Sequence, residues 1–203
     1  LEGEQALSRL NGMFGFAFLD LEKRSWLLAR DRMGVKPLYY SFRNGCLFFA
    51  SELDPLLVLL GETPAIDKLA LNRYLHLGHI PPPLTIFEGV NKLPPGSLLR
   101  GTVDRPVEMT PIRWWELDNL LDHSRTREDW IEEIESLIID ATRIRLHSDV
   151  PLGVFLSGGI DSGLIAHYAS AEMRQQKPLA LTVSFNEEDL SLIHISEPTR
   201  LRR

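Results

Sequence analysis

The residues whose types and spacing best suit chemistry form one short turn. An apolar run, VFL, ends there, and a stretch with helical apolar spacing follows. A strand-to-helix turn aims unpaired backbone N–H groups at one point, and the helix dipole adds positive charge. Glycines let a ligand approach the backbone, and serine hydroxyls donate to phosphate oxygens. The pattern predicts a phosphate site, or more simply a chain reversal, at Ser157, Gly158, Gly159, Asp161 and Ser162.

Asp161 needs its own explanation, because a carboxylate repels phosphate. The acid fits if a divalent cation lies between the carboxylate and the phosphate. The turn also lacks the lysine of the pattern GxxxxGK[ST], so the cation would supply more of the positive charge. If the turn binds phosphate rather than only reversing the chain, the residues predict a divalent cation together with the phosphate-bearing ligand.

Composition and charge argue against several classes of partner. The chain has 203 residues, of which 44% are hydrophobic and 25% are charged, as in ordinary globular proteins. Its net charge is −6, and no dense Lys/Arg run precedes the last few residues, which argues against nucleic acid and anionic membranes. No apolar run is long enough to span a bilayer. The single cysteine, Cys46, fits a reducing, cytoplasmic compartment.

The first third of the chain has the pattern of a β-meander. The Asn44-Gly45 pair tolerates positive φ and is typical of a hairpin turn. Nearly continuous apolar strands predict burial on both faces. A helix is predicted around Leu69–Leu75, with its end at Pro81, and two extended pieces should follow around a Pro-Pro-Gly turn. The predicted strands are GMFGFAFLD, WLLAR, LYYSF and CLFFA.

The last third has the pattern of a parallel βαβ unit. After an irregular, linker-like stretch from Thr110 to Arg125, Thr126 is the predicted N-cap of a long helix that ends near His147. The strand LGVFL, the glycine turn, the helix SGLIAHYASAEMRQQ and the strand LALTVSF follow, which indicates an α/β domain. One apolar stripe of the long helix contains Trp130, Ile134, Leu137, Ile138, Ala141 and Ile144.

Longer motifs resemble a known family. LSGGIDS resembles the SGGxDS motif of PP-loop ATP pyrophosphatases, and RLHSDVPLGVFLSGGIDS is similar to the matching segment of glutamine-dependent asparagine synthetases. LNGMFGFAFLD, ARDRMGVKPLYY, LFFASELDPLL and YLHLGHIPPPLTIFEGVNKLPPGSLL resemble the later part of the class II glutamine amidotransferase domain. The resemblance covers roughly Leu7 to Asp189 and departs from the family at Gly163, where a second serine is usual.

The resemblance implies two partial domains and a reaction. The rear of an αββα, Ntn-type amidotransferase domain would occupy 1–112, a linker 113–125, and the front of a parallel-sheet α/β PP-loop domain 126–189. Glutamine would supply ammonia, and ATP with Mg²⁺ would adenylate aspartate, giving asparagine, glutamate, AMP and pyrophosphate. The full-length protein would be cytoplasmic, and a homodimer is one assembly that the resemblance suggests. The implied ATP-binding residues are Leu156, Ser157, Gly158, Gly159, Asp161, Ser162 and Val183, with Asp161 toward Mg²⁺.

Some of the family's machinery is expected outside this chain. The family's glutaminase nucleophile, an N-terminal cysteine, and its glutamine-binding and oxyanion residues match positions upstream, so no catalytic residue is assigned here. A second acidic loop is expected downstream, and the chain is interpreted as an incomplete, inactive fragment. LSLIHISEPTR, from Leu190, is similar to a translated transposase adapter of sequencing libraries. Residues 190–203 are therefore predicted to be non-native, and His194 is not taken as a ligand.

Other residues have both a functional and a structural interpretation. Arg30, Asp31 and Arg32 could serve an active site, but a structural ion pair at a strand end is favoured. Glu52 could face a domain interface or, equally well, begin a helix.

The histidines, tryptophans and cysteine are likewise assigned structural roles. His76 and His79 have no third ligand for zinc. Trp114 and Trp115 could stack a base, but packing between the two domains is favoured, and Cys46 is predicted to be a core thiol.

Two alternatives to asparagine synthesis stay open. Relatives with this architecture close β-lactam or peptide rings or amidate sugars, and the residues that would select aspartate do not lie in the matched segments. The chain could also be a non-catalytic ATP-binding remnant that aggregates or binds Mg·ATP weakly.

Overall fold

The computed structural model describes residues 3–104, 110–117, 124–173 and 178–183. The chain divides into two units, Leu1–Asn119 and Leu120–Arg203. The described elements of the first unit are a 3₁₀ helix Gly3–Arg9, β1 Gly15–Asp20, β2 Ser25–Arg30, β3 Tyr39–Arg43, β4 Cys46–Ala50, α1 Leu53–Leu60, α2 Lys68–Leu77, β5 Asn91–Lys92, β6 Ser97–Thr102 and β7 Ile112–Arg113. Those of the second unit are α3 Arg127–Arg143, β8 Gly153–Phe155, α4 Ile160–Glu172 and β9 Leu179–Leu181.

The first unit contains two antiparallel sheets, with strand orders β1-β2-β6-β7 and β4-β3-β5. The four strands predicted in the first third are confirmed as β1 to β4. The predicted hairpin is confirmed too, since Asn44 and Gly45 both have positive φ and Arg43 pairs with Cys46. The predicted extended pieces around the Pro-Pro-Gly turn correspond to β5 and β6.

Strands β2 and β6 form the centre of the first unit because they bury side chains on both faces. Leu28 and Leu99 pair across the two strands and belong to one buried cluster with Leu38, Tyr40 and Leu93, so this cluster joins the two sheets. A second buried cluster on the opposite face contains Leu7, Ala29 and Leu98, with Phe14, Phe16, Leu27 and Trp114 packed against it.

The prediction that the apolar strands are buried on both faces is wrong for β1. Phe18 and Leu19 are 47% and 53% exposed, respectively. These two neighbours point to opposite faces of the sheet, as successive strand residues do, so neither face of β1 is fully covered at this end. Apolar composition alone did not reveal this exposure.

Three predicted boundaries in the chain differ from the structure. Helix α2 ends at Leu77, before Pro81, because Gly78 adopts φ 72° and returns its N–H to the Tyr74 carbonyl. The stretch predicted to be irregular from Thr110 contains β7, which pairs with β6. Helix α3 ends at Arg143 rather than near His147.

The second unit contains the predicted parallel βαβ arrangement. β8 and β9 pair in parallel with α4 between them in the chain. Thr126 is the N-cap of α3, as predicted, and forms a capping box with Asp129. The hydrogen bonds of Thr126 hold the pKa of the Asp129 carboxyl below its usual range.

Helices α3 and α4 are joined by polar side chains. Arg143 donates to Glu172 through Nε at 3.0 Å and Nη2 at 2.9 Å, and Tyr168 donates to Glu135 at 2.8 Å. The predicted apolar stripe of α3 is largely exposed, including Leu137 at 61%. None of the helices in the described ranges has the length and apolar character needed to cross a membrane.

Candidate functional site

The candidate site lies where β8 passes into α4. β8 pairs with β9 in the register Gly153↔Leu179 to Phe155↔Leu181. The ladder is extended by one more bond, since the Leu156 N–H donates to the Leu181 carbonyl at 2.8 Å. The hydrogen bonds to the end of β9 therefore fix the position of Leu156, directly before the glycine turn.

The two glycines of the turn have different backbone roles. Gly158 has φ +80°, a left-handed conformation that side chains with a Cβ rarely adopt. Gly159 is the N-cap of α4 with φ −82° and ψ 162°, which any residue could adopt. No side chain caps this end of α4, because the N-cap glycine has no oxygen to offer. The first N–H groups of the helix therefore have no capping side chain, which suits an anion.

The serine hydroxyls organise the turn as well as lining it. Ser162 Oγ donates to the Gly159 carbonyl at 3.1 Å and accepts the Ser157 N–H at 3.2 Å. The Ser157 and Ser162 hydroxyls are 3.0 Å apart. Since Ser162 has one proton and gives it to Gly159, Ser157 Oγ must be the donor between the two hydroxyls. Both protons are thus used within the turn, and donation to a phosphate would require them to be redirected.

Asp161 is exposed in the first turn of α4. This position also suits an acid that simply complements the helix dipole. In the described ranges, no group of three His, Cys, Asp or Glu side chains could hold a metal ion. A cation at Asp161 would therefore complete its shell with phosphate oxygens and water, which is how Mg²⁺ is usually bound beside nucleotides. The donor set fits a Mg²⁺ that arrives with its phosphate ligand.

The structure brings Leu156 close to the end of β9 and adds a residue that sequence analysis missed. The Thr182 hydroxyl donates to the Leu156 carbonyl at 2.8 Å. Val183, the next residue, is 59% exposed. The signal for Thr182 in the sequence was faint, namely a hydroxyl beside Val183 at the end of a predicted strand.

An apolar cavity of about 480 Å³ lies beside the turn within the second unit. Val154, Ile165 and Ala169 contribute to its walls, and Ser162 belongs both to the cavity and to the turn. Because its lining is mainly apolar, this cavity suits phosphate less well than the N–H groups of the turn, which stay the candidate anion site.

Arg30 and Asp31 are buried and structural, at 3% and 1% exposure. Arg30 donates to the carbonyls of Lys36, Gly34 and Leu93. Burial lowers the pKa of its guanidinium. The main contacts of the Arg30 guanidinium and the Asp31 carboxylate are hydrogen bonds to backbone groups, not the predicted ion pair.

Asp31 accepts three backbone N–H groups, from Phe14 at 3.2 Å, Val35 at 2.9 Å and Lys36 at 3.0 Å. Arg32 donates to two carbonyls of the N-terminal segment. These side chains hold the loop after β2 in place, and their donors and acceptors face protein groups rather than an open site.

The structure bears on two further assignments made from the sequence. Trp114 packs against residues of the first unit: its ring centroid lies 6.2 Å from that of Phe14, and Nε1 donates to the Arg30 carbonyl at 3.2 Å. The packing of Trp114 between the two domains stays a prediction. Cys46 is exposed, not a core thiol, because it is the first residue of β4 beside the hairpin turn.

The other candidates have simple positions. Glu52 is the N-cap of α1, and the Nδ1 atoms of His76 and His79 lie within hydrogen-bond distance of nearby carbonyls. His194 and residues 190–203 lie outside the described residues.

Two family models match the chain. A glutamine amidotransferase domain matches residues 1–115, and an asparagine synthase domain matches residues 133–195. The glycine turn lies in the second match, and the buried Arg30–Asp31 pair lies in the first.

Several curated relatives are similar to most of the chain. Asparagine synthetase [glutamine-hydrolyzing] 1 of Bacillus subtilis is 33% identical over 97% of this chain and 30% of its own length. Putative asparagine synthetase [glutamine-hydrolyzing] 2 of Methanocaldococcus jannaschii is 36% identical over 80% of this chain and 32% of its own length. Amidase chyE of Penicillium rubens is 31% identical over 85% of this chain and 25% of its own length. The chain thus spans about a third or less of the relatives it matches.

Proposed function

This chain belongs to the glutamine amidotransferase family and continues into the start of an asparagine synthase domain, and we propose that its glycine turn binds Mg·ATP for amide formation. The observation that carries the proposal is the uncapped N-terminus of α4 after a left-handed glycine. The N–H groups around Gly158 and Gly159 would bind the pyrophosphate end of ATP. Ser157 and Ser162 would add hydroxyl contacts, and Asp161 would face Mg²⁺.

The proposed reaction is that of a C–N ligase. ATP would supply an adenylyl group to the side-chain carboxylate of aspartate, with release of pyrophosphate. Ammonia from glutamine would then attack the activated carbonyl and displace AMP, giving asparagine. The residues of this chain bind and orient the triphosphate, while Leu156 and Val183 would contact the nucleotide. Glutamine hydrolysis is proposed for the protein as a whole and is assigned to no residue in the described ranges.

The proposed domain organisation follows the predicted boundaries. We assign 1–112 to an αββα amidotransferase domain, 113–125 to a linker, 126–189 to a PP-loop domain and 190–203 to a non-native tail. The burial of Leu28 and Leu99 between the two sheets of the first unit supports the central ββ layers. The packing of α1 against β4 and β3 supports one outer helical layer.

A different acceptor is the main alternative within the same chemistry. The similarity to two proteins named amidases, chyE and chry2, favours considering acceptors other than aspartate. The turn would bind ATP in either case. ATP activates the acceptor's carboxylate whatever the acceptor is, and the turn does not select the acceptor. An assay of aspartate-dependent exchange between pyrophosphate and ATP, with protein expressed from its complete source locus, separates the two. Exchange that requires another carboxylate would reject aspartate as the acceptor.

The nucleotide proposal is tested on the chain itself by titration calorimetry with ATP, with and without Mg²⁺. Asp161→Asn should weaken Mg·ATP binding by about 10–100-fold, the range seen when groups supporting a metal site are lost. It should leave Mg²⁺-free ATP binding unchanged or tighter, because a repelling charge is removed.

Glu128→Gln is the matched control, since it neutralises an exposed acid in the first turn of α3. It should leave both affinities unchanged. Unaltered Mg·ATP affinity in Asp161→Asn would reject the metal role, and no ATP binding by the unmodified chain would reject the nucleotide site.

A further inference from the structure

The peptide unit that links Leu156 to Ser157 is held at both ends by side-chain hydroxyls. At its carbonyl end, Thr182 Oγ1 donates to the Leu156 oxygen at 2.8 Å. At its amide end, the Ser157 N–H donates to Ser162 Oγ at 3.2 Å. One hydroxyl follows β9 and the other lies in α4, so the end of the sheet and the start of the helix meet at a single peptide.

This peptide directs the rest of the turn. A peptide unit is planar, so fixing its carbonyl oxygen and its N–H together fixes the orientation of the plane. Gly158 directly follows Ser157, and its φ of +80° makes the chain bend sharply. If the plane before this bend rotated, the N–H groups that follow would point elsewhere.

Regular strand pairing fixes only part of this geometry. β8 and β9 end at Phe155 and Leu181, and the Leu156 N–H still reaches the Leu181 carbonyl. That bond holds the peptide before Leu156. The peptide after it depends on Thr182 at its carbonyl end.

We propose that Thr182 is a positioning residue for the phosphate-binding turn, acting on the Leu156–Ser157 peptide. The inference rests on the proposed function for its ligand, ATP or inorganic pyrophosphate. Thr182 itself does not contact the ligand. Its hydroxyl keeps the N–H groups of the turn aligned before the ligand arrives, which lowers the cost of ordering on binding.

The first test compares Thr182→Val, which keeps the shape and removes the hydroxyl, with Thr182→Ser, which keeps the hydroxyl. Loss of one net hydrogen bond predicts about 3–10-fold weaker binding of both Mg·ATP and pyrophosphate in Thr182→Val. Thr182→Ser should bind as the unmodified chain does. Ser148→Ala is the matched control, because its hydroxyl, which accepts from the Val150 N–H, lies in the same unit away from the turn.

A second readout needs no ligand and separates this inference from the nucleotide proposal. Hydrogen exchange at the Ser157 amide should be about 3–10-fold faster in Thr182→Val than in the unmodified chain. Exchange at Ala169, which is fully buried in α4, should not change. If the unmodified chain binds no ATP but Ser157 exchange responds in this way, the nucleotide proposal fails and the positioning role stands.

Three results would overturn the inference. One is unchanged Ser157 exchange in Thr182→Val. Another is loss of affinity in Thr182→Ser equal to that in Thr182→Val, which would show that the hydroxyl is not responsible. The third is faster exchange at Ala169 together with Ser157, which would mean that Thr182 merely stabilises the unit.

Discussion

The loop after β2 and the turn after β8 contain similar polar residues but use them in opposite ways. In the first, Asp31 is buried and its carboxylate accepts three backbone N–H groups, while Arg30 donates to three carbonyls. In the second, Asp161 is exposed and the N-terminus of α4 has no side-chain cap. The first loop satisfies its own polar groups, and the second leaves donors available.

The difference follows from burial. A buried charge is stable only when its hydrogen-bonding capacity is filled, so Asp31 and Arg30 must be satisfied within the protein. An exposed helix end can exchange water for a ligand at small cost, which is what a binding site requires. An acid that follows a strand therefore indicates a function only where the structure leaves the groups around it accessible to a ligand.

The largest expected effect comes from removing the buried carboxylate of Asp31 from the loop after β2. Asp31→Ala would remove the acceptor of three part-buried N–H groups, and at about 1 kcal/mol for each hydrogen bond we expect a loss of about 3 kcal/mol in unfolding free energy. Urea unfolding followed by tryptophan fluorescence measures it. Asp104→Ala is the control: its partner Arg24 lowers the pKa of this exposed carboxyl, but exposed pairs contribute little. Equal stability of Asp31→Ala and Asp104→Ala would show that the hydrogen bonds of Asp31 do not stabilise the loop after β2, and would contradict the comparison with the turn after β8.

Effects of intermediate size are expected from alanine substitutions at the two glycines of the turn after β8, and they should differ between Gly158 and Gly159. Gly158→Ala forces a Cβ into a left-handed conformation, which costs about 1–2 kcal/mol, and the shifted backbone should weaken ATP binding by about tenfold. Gly159→Ala should still fold without backbone strain, since the backbone at Gly159 is extended and the new Cβ would lie 3.5 Å from Ser157 Oγ.

Stability and ATP affinity are measured together by thermal unfolding and calorimetry. In Gly159→Ala, we expect ATP affinity to fall because the methyl group crowds the ligand, while stability falls by at most about 1 kcal/mol because alanine is a poorer N-cap than glycine. Normal ATP affinity in Gly159→Ala would show that phosphate does not approach the backbone there.

The smallest effect is expected at Gly163, inside the first turns of α4. Apart from the adjacent residues and the backbone of α4 itself, no atom of the described residues lies within 4 Å of a Cβ built at this position. Gly163→Ala should therefore stabilise the second unit by about 0.5–1 kcal/mol, because glycine is a poor helix former. ATP affinity should stay the same, as a helix residue behind the turn does not reach the phosphates. A loss of stability, measured by thermal unfolding, would contradict the open surroundings described here.

Local patterns in the sequence predicted the elements of this protein well. Asn44-Gly45 predicted the hairpin, Thr126 the start of α3, and the sequence around Ser157–Ser162 the strand–turn–helix. These features depend on residues that are close along the chain, through backbone preferences, capping bonds and side-chain periodicity. The motifs also identified the family, which the comparisons confirm.

Tertiary contacts decided which side chains are buried and which residues support the turn. Cys46 and Phe18 have the composition of core residues yet lie exposed, because burial depends on which surfaces meet, not on residue type. Trp114 reaches Phe14, and Thr182 reaches Leu156, across long stretches of chain. No local pattern encodes such pairs, since they form only when the sheet brings its strand ends together. The sequence by itself thus determined the strand–turn–helix that contains the candidate site, and the tertiary structure decided what holds it in place.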